Sequence, residues 1–67
     1  MTNDELRQAL RELNSERDAA FVFSDAPTCV VQHAILIPAE DDGLVKVSDG
    51  KHVYIIDATR VVWVKIG

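Results

Sequence analysis

A chain of 67 residues, 48% of them apolar, with one cysteine and a net charge of −4, is long enough for one small domain. The lone Cys29 excludes an internal disulfide and a zinc site of the Cys-x-x-Cys kind, which leaves self-association as the remaining common support for so small a fold. The acidic balance speaks against a dedicated binder of nucleic acid or anionic membrane, and no apolar run approaches the length needed to cross a bilayer.

A helix is expected first, over residues 2–14. Thr2 followed by Glu5 reads as a capping box, and Asp4 and Glu5 place negative charge in the first turn, where the helix dipole favours it. Leu6, Ala9, Leu10 and Leu13 recur with the spacing of one apolar stripe. A helix this short is marginal alone and needs a surface to dock on. The polar, acidic start Met1 to Glu5 lacks the features of a secretory signal. Together with the single cysteine, that points to the cytoplasm.

After the helix the hydrophobic period changes to two, and strands are expected over 19–24, 28–37, 44–48, 51–56 and 60–66. Phe21 and Phe23 share a face of the first, and Asp25-Ala26-Pro27 forms the turn that follows. The second strand carries Cys29, Val31, His33, Ile35 and Ile37 on one side and Val30, Gln32, Ala34 and Leu36 on the other. Apolarity on both sides suggests a strand covered twice or bent around a small barrel. Pro38 ends it, and Glu40-Asp41-Asp42-Gly43 makes the next turn. Asp49-Gly50 reads as a two-residue hairpin turn, with Val47 opposite His52 and Val45 opposite Tyr54. Asp57-Ala58-Thr59 is a short break, and the last strand alternates Val62, Val64 and Ile66 against Val61, Trp63 and Lys65. The expected fold is α+β: an N-terminal helix, then a five-stranded, strongly bent antiparallel sheet or small barrel, in a single domain spanning 1–67.

This order of elements, with Asp57-Ala58-Thr59 joining the last two strands and Arg60-Val61-Val62-Trp63-Val64 following, resembles Sm-like and other SH3-like small barrels. The resemblance covers nearly the whole chain as an order of elements, without a matched motif. It implies a barrel and, as an alternative function, nucleic-acid binding, with Lys46, Lys51, Arg60 and Lys65 gathered on one face. Residues 43–67 carry a charge of +2 against −6 for residues 1–42, which leaves such a face open.

Cys29, His33 and His52 are the only soft or imidazole ligands. Cys29 and His33 would stand about 13 Å apart along an extended strand, too far to share a metal or act as a nucleophile pair. The acidic run Glu40-Asp41-Asp42 lacks the alternating spacing of a calcium loop and reads as a solvated turn. No catalytic residue, metal or cofactor is expected. Among the aromatics, Trp63 and Tyr54 combine contact area with a polar atom and suit interfaces. The leading expectation is a non-enzymatic interaction module that self-associates through an apolar β surface formed by Trp63, Val61 and Tyr54. A different protein partner is a second occupant for that surface.

Overall fold

The capping box closes at the first helix as its sequence requires. In the computed structural model, which describes residues 1–67, the Glu5 N–H donates to Thr2 Oγ1 at 3.1 Å. The Thr2 N–H donates back to Glu5 Oε1 at 2.8 Å. The helix α1 spans Asn3–Leu10, shorter than the apolar spacing suggests: beyond it the bonds tighten to the i→i−3 kind, Arg11 N–H to the Gln8 carbonyl and Leu13 N–H to the Leu10 carbonyl, and Ser15 then takes a positive φ of 71°. Leu13 is nevertheless buried with Leu6 and Leu10, so the stripe continues inward past the last helical turn. Side chains fix α1 to the loop before the fourth strand. Arg7 donates to the carbonyls of Ile37 and Leu44, and Asn3 Nδ2 donates to the Gly43 carbonyl at 2.7 Å.

Six strands follow rather than five: β1 Ala19–Phe23, β2 Cys29–Val31, β3 Ile35–Leu36, β4 Val45–Ser48, β5 Val53–Ile56 and β6 Val61–Ile66. A turn of 3₁₀ helix, η1 Ala58–Arg60, leads into β6. They form two antiparallel three-stranded sheets, ordered β2-β1-β6 and β3-β4-β5, which do not close on each other. The expected strand over 28–37 is two strands in two sheets. His33, at φ 48°, is left-handed, a conformation that no strand continues through. Its N–H is taken by Asp18 Oδ1 at 3.0 Å, and its Nδ1 lies 3.2 Å from the Ser15 carbonyl. Beside it, the Ala34 N–H donates to the Arg17 carbonyl and the Ser15 N–H to the Ala34 carbonyl.

Two further departures lie in the registers. Phe23 pairs with Val61 and Val22 with Trp63, so Val62 is the extra residue of a β-bulge. The bulge resets the alternation along β6: Val61 turns inward, while Val62 and Trp63 both remain exposed. In the β4–β5 hairpin, Val47 opposes Tyr54 and Val45 opposes Ile56, with Asp49–His52 as a four-residue turn instead of the expected two. Asp49 explains the longer turn. Its Oδ1 accepts the backbone N–H groups of Lys51 at 2.8 Å and His52 at 2.6 Å, and its Oδ2 accepts the Tyr54 hydroxyl at 3.0 Å. These donors hold its carboxyl well below the usual carboxylate range, the His52 and Lys51 amides contributing most.

The inner faces of both sheets, α1 and η1 converge on one cluster of twelve buried residues, all apolar. Phe21 occupies its middle strand, opposite Cys29 on one side and Val64 on the other. Each fully buried side chain of the Val, Leu or Phe type contributes about 1.5–3 kcal/mol. Phe23, Cys29, Leu36, Tyr54, Val64 and Ile66 pack partly buried against this cluster, while Val30, Ile35, Val53, Ile55, Val62 and Trp63 are left exposed on the sheets. No helix is long and apolar enough to cross a membrane.

Candidate interaction surface

The outward face of the β2-β1-β6 sheet follows from its pairing. Ala20 stands between Val30 and Lys65, and Val22 stands beside Trp63, with the bulged Val62 adjoining. Trp63 is 52% exposed, and Val30 and Val62 are exposed to a similar degree. Val22 and Ala20 are half-buried between these neighbours. Lys65 is the only charged side chain in the two rows. The surface is a sheet face with an indole at one edge, so its chemistry is that of apolar contact area with one hydrogen-bond donor.

The β3-β4-β5 sheet also turns apolar residues outward. Ile35, Ser48 and Val53 form one row across it, and Lys46 and Ile55 form the next. Ile55 is the more exposed of the two isoleucines, at 60%. Lys46 reaches sideways to Glu40 Oε1 at 2.7 Å and Asp42 Oδ2 at 2.6 Å, which brings the 40–42 turn to the rim of this face. Asp42 and then Glu40 raise the Lys46 ammonium above its ordinary value, and Lys46 lowers the Asp42 carboxyl in turn.

The three expected interface residues do not lie together. Trp63 faces out from β6. Val61 is 4% exposed and belongs to the core, because the bulge puts it on the opposite side of the strand from Trp63. Tyr54 is half-buried on the inward side of β5, with its hydroxyl held by Asp49. That bond raises the Tyr54 phenol above its usual range. Val62 and Val22 are the neighbours Trp63 does have, with Val30 further across the same face on β2. Their types signal only strand formation. Their shared face emerges from the β1–β2 and β1–β6 registers, which sequence spacing does not supply.

The four expected cations are dispersed in the same way. Lys46 is bound by two carboxylates, and Arg60 lies 2.7 Å from Asp25 and 3.4 Å from Asp57. Lys51 sits on the β4–β5 turn and Lys65 on the outer face of the other sheet. Two of the four are therefore already matched with acid, and the four do not form one basic face. Cys29 is half-buried against the core, while His33 and His52 lie in separate turns, and no three ligating side chains converge. His52 contributes an edge contact to Tyr54, with ring centres 6.4 Å apart, and its Nδ1 lies 3.5 Å from Asp49.

No protein-family model, curated protein or solved structure matches the chain.

Proposed function

We propose that this chain is a non-enzymatic interaction module that self-associates through the outer apolar face of its β2-β1-β6 sheet, with Trp63 as the anchor. The observation that carries this is Trp63 itself, 52% exposed beside Val62 and Val22 on a face with no acidic side chain in its two rows. A large indole left in water, in a domain with little area to spare, gains more from a partner's surface than any other exposed side chain here. Strand β6 is also an edge of its sheet, so a partner reaching Trp63 meets unpaired backbone groups as well. We infer an open relative of the small Sm-like or SH3-like barrels, since β2 and β3 are the two halves of one expected bent strand serving two sheets around one core. A cytoplasmic location accords with an unpaired Cys29.

The nucleic-acid alternative has less behind it, because Lys46 and Arg60 are already engaged by carboxylates. Light scattering after size exclusion tests the self-association directly. The wild-type chain is expected as an oligomer, and Trp63→Asp as a folded species whose association is weakened roughly 30-fold or more, the scale of an interface hot spot of about 2 kcal/mol. An unchanged mass for that variant rejects Trp63 as the anchor. A wild-type monomer at every concentration rejects self-association. Oligonucleotide binding that falls steeply with salt would shift the assignment to the alternative.

A further inference from the structure

The molecule carries two different apolar faces, and their charges are complementary. One is the Trp63 face of β2-β1-β6, whose rows hold Val22, Val30 and a single charge, Lys65. The other is the outer face of β3-β4-β5, with Ile35, Val53 and Ile55 exposed. Its rim is the 40–42 turn, where Glu40 and Asp42 hold the one ammonium of Lys46 and Asp41 lies between them in the chain. Three carboxylates against Lys46 and the nearby Arg7 leave that rim net negative, and Glu40 and Asp42 keep 55% and 42% of their side chains in solvent. The inner faces of both sheets point into one core, so the two outer faces look away from it in different directions.

A symmetric dimer formed face to face through Trp63 would offer Lys65 no acidic partner in the two rows and leave Ile55 and Val53 in water. Contact between the Trp63 face of one copy and the Ile55 face of the next covers both patches with a single type of interface. It also brings Lys65 to the acidic rim of its neighbour. On this basis we propose that copies of this chain associate head to tail, the Trp63 face of one on the Ile55 face of another. The proposal rests on the self-association reading above and specifies its geometry. A heterologous contact of this kind continues into a ring when its rotation closes and into a filament when it does not.

Two variants test it, Trp63→Glu and Ile55→Glu, each spoiling one face and leaving the other intact. Head-to-tail contact predicts that each alone is monomeric by light scattering. It also predicts that an equimolar mixture gives a stable pair of twice the chain mass and nothing larger, since the mixture holds one good copy of each face. Both positions are exposed, so the folded state tolerates the charge. Val62→Glu and Val53→Glu repeat the design at neighbouring sites should either variant unfold. A mixture that stays monomeric while the wild type is oligomeric overturns the head-to-tail geometry. So does an Ile55→Glu variant that associates like the wild type, which would show a symmetric contact through Trp63 and leave the self-association reading intact. A monomeric wild type would end both.

Discussion

The two sheets reach a common core by different routes. Strands β3, β4 and β5 follow one another along the chain, and each pairs with its successor. In the other sheet, Ala19 near the start of β1 pairs with Ile66 at the end of β6, so the central strand must wait for the far end of the chain. Local pairing is set by turn chemistry, and here one residue, Asp49, fixes the β4–β5 turn by accepting from two backbone amides and a phenol. Distant pairing is set by irregular points that turns do not control, the break at His33 and the bulge at Val62. Because loop closure must precede distant contacts, the β3-β4-β5 meander is expected to form before β6 docks.

The largest expected effect breaks the distant sheet. Phe21 is fully buried and pairs across to both neighbours of β1, so Phe21→Ala removes the side chain that joins β2 and β6 to the core. A truncation of this kind costs about 3–5 kcal/mol, comparable with the whole stability of a small domain. Urea denaturation should find the variant unfolded or nearly so in buffer. Val47→Ala, at an equally buried position of the meander, should cost less and leave a folded chain with a lower midpoint. Equal losses at the two positions, despite the smaller truncation at Val47, would mean that the meander depends on packing more steeply than the distant sheet.

The next effect concerns what the sequence does and does not reveal. The Thr2–Glu5 cap, the presence of a turn after Ser48 (though not its four-residue length or its register) and the short turn at Asp57-Ala58-Thr59 are legible because each depends on residues within a few positions. His33 is illegible because its partners, Asp18 and Ser15, lie 15 and 18 residues earlier. Without them, an unbroken strand fits the apolar pattern equally well. The bulge at Val62 is hidden for a related reason: Val61-Val62-Trp63-Val64 alternates acceptably in either phase, and only the pairing with Val22 and Phe23 selects one. One shifted residue moves Val61 from the candidate interface into the core. His33→Val, which forces a β-branched side chain into left-handed backbone, is expected to cost about 1–3 kcal/mol by the same denaturation assay. His33→Gly should cost less, because it relieves the backbone while losing the ring contact to Ser15.

A smaller effect separates the sheets by dynamics. Gly50 has φ 93°, and a Cβ there would meet nothing within 4 Å, so Gly50→Ala carries a purely conformational cost of about 1–2 kcal/mol. Hydrogen exchange should quicken at the β4–β5 amides and leave the β1–β6 amides nearly unchanged if the meander opens as a unit of its own. Uniform quickening would instead show that the two sheets open together.

The smallest effect asks whether charge or mere hydrogen bonding locks the Asp49 turn. Asp49→Asn keeps an acceptor for the Lys51 and His52 amides but loses the stronger bonds that an ionised oxygen makes. Because the folded chain holds the Asp49 carboxyl below its ordinary value, its stabilising contribution is complete above a pH of about 4. That contribution is lost as pH falls through the lower folded value. The wild type should therefore melt slightly above Asp49→Asn at pH 7, and the gap should close in strong acid, where a protonated Asp49 is itself neutral. Glu5, Asp42 and Asp57 are lowered in the same direction, by Thr2, Lys46 and Thr59 respectively, so both proteins lose stability in acid and only the difference between them reports on Asp49. A gap that persists unchanged through the acid range would show that acceptor geometry alone sets the turn. The Asp49 turn would then owe nothing to charge, and the contrast with the distant sheet would rest on connectivity.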